Sequence, residues 1–250
     1  MTPETGRADL VTRAAEELGE LVARTRYVLF DFDGPICRLF HGHPASDIAR
    51  AQVKRLVDQG RDGLLTEEER FSPDPHGVLS TFAARHPGSD LLTDLEAHLT
   101  KHELQAARRA WPTAHVDPLI QTWVAVGARL AIVTNNSARA VAEYLRDREL
   151  FSCFAPHIYG RTAQEMHFLK PHPETLNRAL RAMGAAPEAS LMIGDSDSDA
   201  TAARAAGVPF LGYASSVRAA LRMRGAGVPE RDILGSLEPL LDAVRAAKHP

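Results

Sequence analysis

Polar residues able to do chemistry stand directly behind short apolar runs. Asp31-Phe32-Asp33-Gly34 follows Tyr27-Val28-Leu29-Phe30, Thr134-Asn135-Asn136 follows Leu130-Ala131-Ile132-Val133, and Gly194-Asp195-Ser196-Asp197-Ser198-Asp199 follows Leu191-Met192-Ile193. Lys170-Pro171 falls on a predicted loop. Carboxylates that converge from separate loops repel one another, and a hard cation with oxygen ligands, such as Mg2+, is their usual partner. The lysine and the threonine then supply donors for an anion. The pattern predicts cation-assisted chemistry on an anionic group.

That chemistry requires elements that bring the turns together. The apolar runs, with His157-Ile158-Tyr159 as a weaker one and Val208 with Phe210-Leu211 as the last, are short and bounded by turn residues, as strands buried on both faces are. Helical spacing appears between them: Val116, Leu119, Ile120 and Trp123; Ala138, Val141, Ala142 and Leu145; Leu176, Ala179, Leu180 and Met183. Ser137 is placed to cap the second helix and Gly184 to end the third. Strand alternating with helix implies a parallel sheet covered on both faces, with the ligand site outside the carboxyl ends of the strands. The predicted class is therefore α/β, a Rossmann-like three-layer α/β/α core with a parallel sheet.

One interval breaks the alternation. Between about Ile36 and Trp111 the apolar residues form helical patches (Ala49, Val53, Leu56; Val78, Leu79, Phe82; Leu91, Leu95, Leu99) separated by Gly60-Arg61-Asp62-Gly63, Phe71-Ser72-Pro73-Asp74-Pro75 and His86-Pro87-Gly88. The expected organisation is a core of residues 1–35 and 113–250 with an α-helical insertion at 36–112. An amphipathic helix carrying Leu10, Ala14, Leu18 and Leu21 is expected to pack on the core.

The composition narrows the function classes. With 250 residues, 44% hydrophobic and 24% charged, the chain builds a core without disulfide or metal staples, and its net charge of -3 provides no general attraction to nucleic acid or an anionic membrane. The first 25 residues lack the apolar core of a signal peptide, no run reaches membrane-spanning length, and Cys37 and Cys153 fit no disulfide framework; together these predict a cytoplasmic protein with reduced thiols.

In order along the chain, Asp31-Phe32-Asp33-Gly34, Thr134 at the end of an apolar strand, Lys170 before Pro171, and Gly194-Asp195 with Asp199 resemble the four motifs of the haloacid dehalogenase superfamily. The likeness is to its phosphoglycolate phosphatase and β-phosphoglucomutase-like branch, which carries a helical cap of the C1 type between the first two motifs. The resemblance implies a phosphatase acting on a small phosphorylated metabolite, with Asp31 as nucleophile and Asp33 as general acid and base. It further implies Mg2+ held by Asp31, the Asp33 carbonyl, Asp195 and Asp199, and a phosphate held by Thr134, Asn135 and Lys170. Pro35 departs from the pattern, since many family members carry Thr or Val there.

A phosphomutase of the β-phosphoglucomutase type shares the same motifs, and a non-catalytic binding protein of the same fold has no need for both Asp31 and Asp33. A dehalogenase does not need the second carboxylate, and a phosphonate hydrolase replaces it. The Asp195–Asp199 run mimics a calcium loop, but Ala200 and Ala206 occupy the positions of its Gly and Glu. Asn135-Asn136-Ser137 forms a sequon without a secretory signal. His98 and His102 are read as partly buried structural residues. Arg38, His41 and His43 are read as linker residues, with substrate contact as the competing role, and Arg161 is a further candidate for that contact.

Overall fold

Side chains of the run Tyr27–Phe30 alternate between two layers, as the pleat of a strand requires. Val28 and Phe30 join one apolar cluster and Leu29 joins another on the opposite face. Both faces are covered because each parallel return of the chain crosses over through a helix.

The structure, a computed structural model, describes residues 15–247. A helix over 15–24 (α1) precedes β1 (Tyr27–Phe30) and β2 (Cys37–Arg38). Next come α2 (Ala45–Asp58), α3 (Glu67–Phe71), α4 (Pro75–Arg85), α5 (Asp90–Ala107) and β3 (Trp111–Pro112). The chain continues through α6 (Val116–Ala125), β4 (Arg129–Ser137), α7 (Ala138–Asp147), α8 (Phe151–Phe154), β5 (Ile158–Arg161) and α9 (Glu174–Met183). It closes with β6 (Ser190–Gly194), α10 (Asp197–Ala205), β7 (Phe210–Tyr213), α11 (Val217–Gly225), β8 (Ile233–Leu234) and α12 (Glu238–Ala246). Among these helices none is long and apolar enough to cross a membrane.

Six strands form one parallel sheet in the order β5-β4-β1-β6-β7-β8. One face packs on α6, α7 and α12 through Leu119, Trp123, Val141, Leu145 and Leu240. The other packs on α9 and α10 through Leu176, Leu180, Met183 and Ala203. The expected three-layer α/β/α architecture is what the chain forms. Ser137 caps α7 by accepting the Arg139 N–H, and Gly184 ends α9 at φ +63°, where a left-handed residue without a Cβ is favoured. Leu18 and Leu21 of α1 pack on the core, whereas Leu10 and Ala14 lie outside the described residues.

Several elements have no counterpart in the sequence reading. β4 extends past its apolar run through the polar Thr134–Ser137, and the two-residue β8 adds a sixth strand at the sheet edge. β2 and β3 pair antiparallel, Cys37 opposite Pro112 and Arg38 opposite Trp111, so the chain leaves the sheet and returns to it through one ribbon.

Between the two strands of that ribbon, α2, α4 and α5 pack around Ile48, Leu56, Leu79, Phe82, Leu95 and Leu99. Met166 and Leu169, from the loop after β5, complete this cluster, so the helical group shares apolar surface with the core. Apart from α2, its helices begin on polar caps: Thr66 with Glu69 for α3, Asp74 with Pro75 for α4 and Ser89 for α5. Phe82 is fully buried at the centre of this group. Phe82→Ala is expected to lower stability by about 3–5 kcal/mol, read as a shift of the urea-unfolding midpoint.

Candidate active site

The parallel register sets the floor of the site. Phe30 pairs with Ile132 on one side and Ile193 on the other, so Asp31 emerges between the ends of β4 and β6, its N–H donating to the Ile193 carbonyl at 2.9 Å. Asp33 follows on the same turn, and Leu39 N–H donates to its Oδ1 at 2.8 Å. Gly34 stands at φ +106°, and a Cβ there would fall 2.4 Å from Asp195 Cγ. Only glycine satisfies both the dihedral and that approach. The turn is closed by Gly34 N–H donating to the Cys37 carbonyl at 2.7 Å and the Thr113 hydroxyl donating to the Gly34 carbonyl at 2.6 Å. These bonds tie both strands of the ribbon to the acidic turn without calling on Pro35, which has no N–H to offer.

Lys170 enters from the loop after β5. Its Nζ lies 2.5 Å from Asp199 Oδ1, 2.9 Å from the Val133 carbonyl and 2.9 Å from Asp31 Oδ1. The approach to Asp31 is an ion pair without hydrogen-bond alignment, and Asp31 Oδ1 has no aligned donor. Asn135 braces the lysine from below: its Oδ1 accepts the Lys170 N–H at 2.9 Å and its Nδ2 donates to the Lys170 carbonyl at 3.0 Å. Thr134 donates its hydroxyl to Asn136 Oδ1 at 3.0 Å. Asp199 Oδ2 accepts from Ser196 Oγ at 2.6 Å and from the N–H groups of Ser196 and Asp195, as the third-position partner of the Ser196 cap that starts α10.

Four carboxylates, Asp31 and Asp199 buried and Asp33 and Asp195 half-buried, therefore share one cleft with one ammonium. Burial raises Asp31, against the opposing pull of Lys170. Burial raises Asp33 to about 7, opposed by the Leu39 N–H and reinforced by Asp31. Burial followed by the charges of Asp31, Asp199 and Asp33 raises Asp195 to about 8. Lys170 is pushed upward because its two carboxylates outweigh its burial. Carboxyl oxygens of Asp31, Asp195 and Asp199 lie within 4.8 Å of one another, the single such acidic group among the described residues. Oxygen donors, excess negative charge and a buried carboxylate oxygen without a hydrogen-bond donor together fit a hard divalent cation.

The structure brings Asp31, Asp33, Thr134, Asn135, Lys170, Asp195 and Asp199 to one cavity of about 190 Å³. Asp74, His76 and Asn136 line it as well, and sequence reasoning missed the first two. His76 Nε2 lies 3.0 Å from Glu103 Oε1, and Glu103, fully buried on α5, accepts from Arg161 Nη1 and Nη2 at 2.8 Å each. Arg161 is thus committed to Glu103 and to the Asn135 carbonyl instead of being offered to a substrate. The only trace of His76 in the sequence is its place behind the Asp74-Pro75 helix start. Nothing distinguishes Glu103 from a solvated helix glutamate. His98 and His102 are half-buried, with His102 Nδ1 bonded to His43 Nε2 at 2.8 Å. His41 stacks on Trp111, and with Arg38 it lines a second cavity of about 350 Å³ that shares Asp33 and Asp195. A larger hollow of about 670 Å³ against α1 holds none of the motif residues, so chemistry and not size locates the site.

Comparison with known proteins agrees with this geometry. The family model for haloacid dehalogenase-like hydrolase matches residues 25–207. Phosphoglycolate phosphatase of Escherichia coli (strain K12) is 37% identical over 98 residues, which is 39% of this chain and 38% of that protein. The chain thus aligns with well under half the length of the curated relatives it matches. A structure described as a haloacid dehalogenase-like hydrolase from Bacteroides fragilis superposes with a TM-score of 0.65 at 24% identity, covering 86% of this chain and 99% of that one. A predicted phosphatase from Clostridium acetobutylicum gives 0.64 at 16% identity over 88% and 98%. These two likenesses establish the fold. With the family model spanning most of the chain across all four acidic, hydroxyl and lysine turns, the protein belongs to the haloacid dehalogenase-like hydrolases.

Proposed function

We propose that this hydrolase is a Mg2+-dependent phosphatase that cleaves a small phosphorylated metabolite through an aspartyl-phosphate on Asp31, with residues 36–112 acting as a cap over the core of 1–35 and 113–250. The reading rests above all on the convergence of Asp31, Asp33, Thr134, Lys170, Asp195 and Asp199 on one small cavity. The likeness to phosphoglycolate phosphatase over part of the chain supports it.

The cavity, at about 190 Å³, is below the ~300–1,000 Å³ of sites for drug-sized ligands and suits a small monoester. Asp31 attacks phosphorus in line, and as the ester P–O bond breaks the proton on Asp33 passes to the leaving oxygen. Asp33, now a carboxylate, takes a proton from water as that water attacks phosphorus. The bond to Asp31 then breaks, releasing inorganic phosphate and returning both side chains to their starting states. A carboxyl raised to about 7 is suited to both transfers near neutral pH. Lys170 and Thr134 hold the equatorial oxygens, and Asn135 keeps Lys170 in place through its backbone. Asp31, Asp195, Asp199 and the Asp33 carbonyl would hold Mg2+, which when bound offsets charge on the phosphoryl oxygens.

Phosphate release from an aryl phosphate in Mg2+ is expected to fall on the order of 10³-fold or more in Asp31→Asn and to vanish in chelator. Activity that survives either change contradicts the mechanism. A second expectation concerns stability. Asp33 and Asp195 are raised from 3.8 in the unfolded chain to about 7 and about 8, so the folded state is favoured below 3.8 and is penalised as pH climbs to those values. A cation bound to the Asp195 carboxylate replaces its proton and removes that share of the penalty. Mg2+ should therefore raise Tm more at about pH 9 than at about pH 6, and much less in Asp195→Asn; a shift independent of pH would show that the Asp195 carboxyl does not bind it.

A further inference from the structure

Asp33 lines two adjoining cavities. The smaller, of about 190 Å³, holds the motif residues, and the larger, of about 350 Å³, shares Asp33 and Asp195 with it and adds Arg38, His41, Tyr213 and Ser215. The leaving oxygen takes its proton from Asp33, so the leaving group begins at this junction and has two ways to run. In the smaller cavity each basic side chain already faces two carboxylates. Lys170 lies between Asp31 and Asp199, and His76, whatever its charge, stands 3.0 Å from Glu103 and 3.9 Å from Asp74.

Arg38 in the larger cavity is different. It is exposed, and among the described residues its guanidinium makes no hydrogen bond and no ion pair. An arginine keeps its charge across the physiological pH range. Its backbone sits on β2 opposite Trp111, whose ring stacks on His41 with centroids 4.3 Å apart, and the next N–H, that of Leu39, donates to Asp33 Oδ1 at 2.8 Å. The cation and the general acid thus share one hydrogen-bonded stretch of backbone. The carboxyls of the larger cavity are engaged elsewhere, Asp33 with the leaving oxygen and Asp195 in the acidic group that fits a cation. A volume of about 350 Å³ reaches the ~300–1,000 Å³ of ligand-sized sites, so the cavity has room for a leaving group longer than a two-carbon acid.

We propose that Arg38 is a specificity-determining residue that pairs with a second anionic group, a carboxylate or a phosphate, at the far end of a leaving group several carbons long, so that the preferred substrate is a phosphorylated hydroxy acid or a bisphosphate of that length. This rests on the phosphatase reading above and adds the substrate class to it. A planar guanidinium meets either anion with two parallel N–H donors, and a neutral end of the same shape gives it nothing to pair with.

The test compares three esters of one carbon skeleton in Mg2+: sorbitol 6-phosphate, whose far end is a neutral alcohol, 6-phosphogluconate, where that end is a carboxylate, and sorbitol 1,6-bisphosphate, where it is a second phosphate. The parent protein is expected to favour at least one charged ester over sorbitol 6-phosphate by ~10-fold or more in kcat/KM, and the one favoured identifies the anion. Arg38→Ala collapses this preference, mainly through KM, and Arg38→Lys, which keeps the charge without the fork, recovers part of it. Added NaCl narrows it too, because the guanidinium is exposed. Loss of folded protein lowers all three rates together and leaves their ratios where they were, so the ratios isolate recognition from stability. Absence of any preference for a charged ester, a preference that survives Arg38→Ala, or release from an aryl phosphate but from none of the three overturns the inference and leaves the phosphatase reading intact. Release of no phosphate from the three esters and the aryl phosphate alike overturns both.

Discussion

Crowding of like charge in a partly buried cleft is the constraint on which the rest of the structure depends. Asp31, Asp33, Asp195 and Asp199 emerge from two neighbouring strand ends, and the only ammonium among them is Lys170. Water screens such repulsion poorly once the groups are buried. Two of the four carboxyls respond by holding protons to near or above neutral pH. Asp199 takes a different route, spending one oxygen on Lys170 and the other on the N-terminus of α10. The arrangement is costly for folding and useful for chemistry, because the same charge density that favours protonation favours a divalent cation.

The backbone around the cleft is built to permit that crowding. Gly34 accepts both a positive φ and the Asp195 carboxyl against its α-carbon, and Gly194 leaves room for the Asp199 side chain, which a Cβ would meet at 2.5 Å. Thr113, just after the returning strand of the ribbon, donates its hydroxyl to the Gly34 carbonyl. The ribbon between the sheet and the helical group is therefore hydrogen-bonded to the turn that carries Asp31 and Asp33, so the placement of the helices and the geometry of the acidic turn are joined.

A second joint runs through Glu103. Its carboxylate, supplied by α5, is met by Arg161 from β5 and by the side chain and backbone of the Asn136-Ser137 segment of β4. Arg161 also donates to the Asn135 carbonyl, and Asn135 braces Lys170. Desolvating both ions offsets much of the attraction within a buried pair of this kind. Here the arrangement links a helix outside the sheet to the segment that presents Thr134 and Lys170.

The chain's own order was enough to read the sheet, the helices that cover it and the four polar turns, because each of those features is local. An apolar run followed by Asp31, or by Asp195, states both a strand and what stands at its end, and the alternation of strand with helix leaves few ways to arrange them. The short ribbon and β8 escaped, since two residues carry no periodicity, and β4 ran on through polar residues whose pairing with β5 no pattern announces. His76 and Glu103 belong to the tertiary structure alone, and so does the commitment of Arg161, a substrate-contact candidate in the sequence, to Glu103. A glutamate on an amphipathic helix is a surface residue until packing turns that face inward, and only the docking of α5 against β4 and β5 converts Glu103 into a buried acceptor and so aims His76 at the acidic turns. What depended on neighbours in sequence was legible; what depended on how one helix is rotated against a distant strand was decided by the fold.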